Sequence, residues 1–128
     1  PFDYILYVGH RNAYKNFNNC LRAFKSINNI HKMLNLVCTG VRFQKNELAQ
    51  ISKLKLENRV FAVSATEEQM ARLYRDALLF VYPSYYEGFG MPILEAMQYH
   101  CPVVLSKRGY SYPEFFLGRK CKWAYGCL

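Results

Sequence analysis

No stretch of this chain approaches the roughly 18 consecutive apolar residues of a membrane-spanning helix. Nor does the sequence as given open on the charged-then-apolar pattern of an export signal. The expectation is therefore a soluble, cytosolic domain. Cys-x-x-Cys spacing is missing, and the 3 histidines and 5 cysteines fall into no zinc pattern. Gly-x-Gly-x-x-Gly is absent after the first strand-like run, as is any phosphate loop ending in Gly-Lys-Ser/Thr. These absences argue against a dinucleotide-dependent dehydrogenase and a phosphate-loop nucleotidase. No internal repeat, linker or low-complexity tract divides the chain.

Acidic residues are scarce, with 9 Asp and Glu against 17 Lys and Arg, which gives a net charge of +8 and a pI near 9.3. Such a balance predicts affinity for anions: nucleic acid, a membrane surface, or the diphosphate of a nucleotide sugar. Apart from Arg119-Lys120-Cys121-Lys122 the cations are scattered, as on an ordinary solvated surface. The odd set Cys20, Cys38, Cys101, Cys121 and Cys127 has three members in or beside apolar segments. Buried free thiols in a reducing compartment account for them.

At 128 residues the chain is one domain by length, large enough for a hydrophobic core. Five short apolar runs, Tyr4 to Val8, Leu34 to Cys38, Arg59 to Val63, Leu78 to Tyr82 and Pro102 to Ser106, read as buried parallel strands. Between them lie helical spacings. Phe17, Leu21, Phe24 and Ile27 share one face, and so do Leu48, Ile51 and Leu54. A capping box, Thr66 with Gln69, precedes Met70, Leu73 and Tyr74. The alternation predicts an α/β, Rossmann-like fold, a parallel sheet with helices on both faces. Ligands of such sheets bind beyond the carboxyl ends of the strands. Chemistry is then expected in Gly9 to Lys15, Thr39-Gly40, Ser64 to Thr66, Pro83 to Gly90 and Lys107 to Glu114.

The most informative of these segments runs from Pro83 to Glu95 as Pro-Ser-Tyr-Tyr-Glu-Gly-Phe-Gly-Met-Pro-Ile-Leu-Glu. Pro92 suits the first turn of a helix, and Gly88 and Gly90 allow close ligand approach. Free amides at that helix start attract an anion. Glu87 lies before the turn and Glu95 about one helical turn beyond it, so one carboxylate can reach each side of a bound phosphate. By spacing alone the ordinary reading of the two glutamates is solvated helix charges, and it is the surrounding residues that reverse it. The loop Gly9-His10-Arg11-Asn12-Ala13-Tyr14-Lys15 adds two cations at the same sheet edge, where they would meet the same phosphates. His10 reads as a loop residue, and His31 and His100 as structural.

Taken with Ala96, Met97 and Pro102-Val103-Val104, this string resembles the E-x7-E signature of retaining glycosyltransferases of family four. The match covers Tyr4 to Glu114. It implies the C-terminal, donor-binding half of a two-domain GT-B enzyme, shortened at both ends and separated from an N-terminal acceptor domain. By the same resemblance Glu95 binds the ribose hydroxyls and Glu87 contacts the transferred sugar near its reacting carbon. Arg11 and Lys15 hold the donor diphosphate together with the amides of Phe89, Gly90 and Met91. Gly9, Gly40 and Gly88 permit close approach, and Glu114, after Pro113, stands at the donor-site rim, although by its own position it reads equally as a helix-start carboxylate. Departures from the family are His10, where many members carry arginine, and Phe61-Ala62-Val63-Ser64, which lacks the usual glycine. The donor is a nucleoside diphosphate sugar, with no metal and no further cofactor. Membrane contact is expected only through lipid-linked acceptors of a full-length enzyme. A basic RNA-binding module is the other reading that the charge and 11 tyrosines permit, although most of the aromatics fall within apolar runs.

Overall fold

The apolar runs pair into one parallel sheet. The computed structural model describes residues 2–11, 16–84 and 91–105, with the backbone of 124–125. Its elements are β1 (Tyr4–Val8), α1 (Phe17–Ile30), β2 (Asn35–Thr39), α2 (Lys45–Lys53), β3 (Val60–Val63), α3 (Glu67–Asp76), β4 (Leu79–Tyr82), α4 (Met91–Gln98), β5 (Val103–Leu105) and β6 (Ala124–Tyr125). The strand order is β3-β2-β1-β4-β5-β6, the doubly wound arrangement whose order reverses beside β1. Every pairing is parallel. The first five strands match the expected runs to within a residue or two. The two-residue β6 corrects the expectation of five strands, since so short a pairing carries no apolar run to announce it.

Side chains alternate across each strand, so one strand feeds two cores. Ile5 and Tyr7 pack with Leu36 and Cys38 under α1 and α2, against Phe17, Leu21, Phe24 and Ile51. Tyr4 and Leu6 point the other way and pack with Val37, Phe80 and Tyr82 under α3 and α4, against Tyr74, Ile93 and Ala96. Each fully buried large apolar side chain stabilises the fold by about 1.5–3 kcal/mol.

Two expected helix faces shift. Ile27 is 40% exposed, and Asn28 turns inward in its place, donating to the carbonyls of His31 and Leu34 at 3.2 and 3.1 Å. This closes the end of α1 onto the start of β2. In α2 the buried face runs through Glu47 and Ile51, one helical turn apart, so Leu48 points outward and is 52% exposed. The capping box of α3 forms as expected, with Gln69 N donating to Thr66 Oγ1 at 3.3 Å and Thr66 N to Gln69 Oε1 at 2.9 Å.

Cys20, Cys38 and Cys101 are buried free thiols. Burial pushes Cys20 up to about 12 and Cys101 up to about 11, and holds Cys38 well above the ordinary thiol value. Cys121 and Cys127 lie outside the described residues. Among the described residues no helix is long and apolar enough to cross a membrane.

Candidate functional site

Parallel register brings the strand ends to one edge. Val8 pairs with Thr39, Thr39 with Val63, and Tyr82 with Leu105. The chain turns sharply just beyond β1 and β2. Gly9 has φ +102° and Gly40 φ +123°, backbone angles that favour glycine. A β-carbon on Gly40 would stand 3.4 Å from the Gly9 carbonyl oxygen and 3.8 Å from Arg11 Nη1. The two candidate glycines therefore abut, and the Gly40 amide is fixed by donating to the Val63 carbonyl at 3.0 Å.

Arg11 is committed to protein partners at this edge. Its Nε donates to Glu47 Oε1 at 2.8 Å, with Nη2 3.4 Å from Oε2. The same Nη2 also donates to the carbonyls of Val41 and Arg42 at 2.7 and 3.2 Å. Phe43 and Phe17, themselves stacked, lie 4.8 and 5.7 Å from the guanidinium carbon. Side-chain exposures of 3% for Arg11 and 10% for Glu47 make this a buried ion pair. Only Nη1 is left, buried and without a hydrogen-bond partner, on the Gly40 side. Glu47 carries a second duty. Its Oε2 accepts from the Gln44 amide at 2.7 Å, completing a capping box that starts α2. The ion pair thus clamps the loop after β1 to the loop after β2. Next to it Tyr7 donates to the His10 carbonyl at 2.9 Å, and burial keeps its phenol protonated far above the usual tyrosine range.

The other described candidates lie on α4, over the opposite face of the sheet. Met91 opens the helix and is 56% exposed. Glu95 follows it by four residues, about 6 Å along the axis, and is solvent-exposed. Its Oε2 accepts a hydrogen bond from the Tyr74 hydroxyl at 3.0 Å. Tyr74 is 1% exposed, edge-on to Phe80 at 5.6 Å and stacked on Tyr99 at 6.1 Å. Burial first, then the Glu95 charge and the hydrogen bond to it, raise the Tyr74 phenol well above its ordinary value. It is thereby held as a proton donor to the carboxylate. A groove of about 300 Å³ runs beside α3, bordered by Val63, Ser64 and Ala65 at the end of β3 and by Gln69, Arg72 and Asp76.

Lys15, Glu87, Gly88, Phe89, Gly90 and Glu114 lie outside the described residues. The structure therefore joins Gly9, Gly40 and Arg11 in one cluster and sets Met91 and Glu95 on α4. Sequence reading missed Glu47 and Tyr74. Glu47 stands at the third helical position after Gln44, a capping spacing obscured by glutamine in the first place. Tyr74 reads as a core aromatic, and nothing local ties it to a glutamate 21 residues away.

Residues 2–125 match the family model described as glycosyl transferases group 1. The O-antigen chain mannosyltransferase B of Escherichia coli is 35% identical over 107 residues, which are 80% of this chain and 28% of that protein. The chain thus spans under a third of that relative's length. Among solved structures, WaaG, a glycosyltransferase involved in lipopolysaccharide biosynthesis, superposes with a TM-score of 0.80 at 21% identity, covering 98% of this chain and 34% of that one. The C-terminal domain of LpcC, a glycosyl transferase group 1 family protein from Francisella tularensis, gives a TM-score of 0.73 at 24% identity, covering 89% of this chain and 63% of that one.

Proposed function

This chain belongs to the glycosyl transferases group 1 family, and we propose that it is the donor-binding domain of a retaining, family-four enzyme that transfers a sugar from a nucleoside diphosphate sugar. The observation that carries the reading is the exposed Glu95 carboxylate, one turn into α4 and anchored by a buried phenol. An ionised carboxylate accepts hydrogen bonds only, and two vicinal ribose hydroxyls supply two donors. That a solved C-terminal domain of a group 1 protein shares this fold supports the donor-half assignment. The sugar we favour is mannose, after the mannosyltransferase relative.

In this reading Glu95 orients the nucleotide through its ribose, and Glu87 contacts the sugar near the reacting carbon. Lys15 and the amides of Phe89, Gly90 and Met91 take the charge that develops on the leaving diphosphate, so the step proceeds without a metal. Donors fixed in advance toward developing charge contribute several kcal/mol to lowering a barrier. Arg11, matched in charge by Glu47, stiffens the two loops beneath the phosphates and keeps only Nη1 to offer a ligand. The acceptor is held by a second, N-terminal domain of a larger enzyme.

Titrating the purified chain with UDP, GDP and ADP and their sugar conjugates, beside Lys15→Ala, tests the reading. Saturable binding of one nucleotide, weakened at least tenfold in the variant, is expected. Binding of RNA in preference to every nucleotide would overturn it. For retention, the anomeric configuration of the product, read by proton NMR from an enzyme carrying this domain, should equal that of the donor; the opposite anomer would refute it.

A further inference from the structure

We infer that Tyr74 is a positioning residue of this site: its hydroxyl fixes the Glu95 carboxylate in the orientation that receives the ribose hydroxyls. The inference rests on the donor reading of Glu95 given above.

An exposed glutamate on a helix ordinarily samples several rotamers, and ordering it costs side-chain entropy when a ligand arrives. Glu95 is exposed, yet one of its oxygens sits 3.0 Å from a phenol that cannot move freely. The Tyr74 ring is 1% exposed. Phe80 of β4 meets it at an interplanar angle of 90°, and Tyr99, just after α4, stacks on it at 14°. Three elements, β4, α3 and α4, therefore determine where the hydroxyl points. A buried hydroxyl left without a partner is costly, so the phenol holds the carboxylate as firmly as the packing holds the phenol. The carboxylate keeps lone pairs for further donors, because each oxygen can accept two. Glu95 is thus set before the ligand arrives, and the ordering cost falls on folding instead of on binding.

The test compares the chain with Tyr74→Phe and Glu95→Ala, each checked for a native circular dichroism spectrum. UDP, GDP and ADP and their 2′,3′-dideoxy forms are titrated by calorimetry. The unsubstituted chain should prefer the ribose form of its nucleotide by about tenfold or more, as expected for hydrogen bonds to a charged group. Tyr74→Phe should bring that preference within about threefold while affinity for the dideoxy form stays the same, because only the carboxylate's orientation is lost. Equal weakening toward both forms would assign Tyr74 to packing and overturn the inference. An undiminished preference would overturn it too. If Glu95→Ala abolishes the preference and Tyr74→Phe keeps it, the positioning role alone falls. If Glu95→Ala keeps it, or the unsubstituted chain has none, the ribose reading falls first and takes the inference with it. A readout independent of any Tyr74 variant is the hydroxyl proton of Tyr74 by NMR. A slowly exchanging resonance that moves on nucleotide addition supports the role, and one in fast exchange with water contradicts it.

Discussion

Glu47 and Glu95 are both helix glutamates that accept hydrogen bonds, but they lie on opposite faces of one sheet and meet opposite partners. Glu47, on α2, faces a guanidinium in a pocket walled by Phe17 and Phe43. Glu95, on α4, faces a neutral phenol and open solvent. A buried carboxylate whose charge is cancelled inside the protein is committed to the fold. One held by a neutral donor keeps its charge for a ligand. The same contrast accounts for Arg11, the cation that sequence reasoning assigned to phosphate and that the structure pairs with Glu47.

The comparison breaks most visibly through stability. Glu47→Ala leaves the Arg11 guanidinium buried without its counter-charge and should cost about 3–5 kcal/mol, read from urea denaturation. Glu95→Ala should cost less, about 1–3 kcal/mol, from leaving the buried Tyr74 hydroxyl without its partner. Equal losses would erase the distinction between the two glutamates.

A pH series separates the cores from both carboxylates. Folded-state thiol values are raised, so the stability that the buried thiols contribute is complete below the ordinary value of 9.0 and is lost as pH rises toward about 11 for Cys101 and about 12 for Cys20. Tyr4, raised from 10.0 to about 12 mainly by burial, extends the loss at higher pH. The decline should be about 2–3 kcal/mol for each buried thiol by pH 11, because a thiol that ionises only in the unfolded chain removes about 1.4 kcal/mol for each pH step above its ordinary value. It should persist in both glutamate variants; a urea midpoint that stays flat from pH 8 to 11 would contradict the burial of these thiols.

Gly40→Ala sharpens the contrast at the Arg11 cluster. A β-carbon at φ +123° is strained and meets the Gly9 carbonyl oxygen at 3.4 Å, so the expected loss is about 1–3 kcal/mol by thermal unfolding. The smallest effect belongs to Thr66→Ala, which removes the α3 cap at about 1 kcal/mol and, being remote from both glutamates, should leave nucleotide affinity unchanged in the same calorimeter.

Strands and helix starts were legible in the sequence because each is encoded locally. Apolar runs such as Tyr4–Val8 and the Thr66 to Gln69 spacing carry their own signal. What was illegible depends on groups far apart in the chain. Arg11 finds Glu47 36 residues away, and Tyr74 finds Glu95 across 21. Helix faces misread at Ile27 and Leu48 have the same origin, since the polar Asn28 and Glu47 occupy inward positions that hydrophobic periodicity assigns to apolar residues. Glu87 and Lys15 lie outside the described residues, so their roles stand on the motif.

The most direct test of the central claim, that Glu95 is the ligand-binding carboxylate of a nucleotide-sugar site, is calorimetric titration of the folded chain and of Glu95→Ala with UDP, GDP and ADP and their sugar conjugates. The account predicts selective, saturable binding of one nucleotide that falls at least tenfold in the variant while its fold persists. Affinity unchanged by the substitution would contradict it.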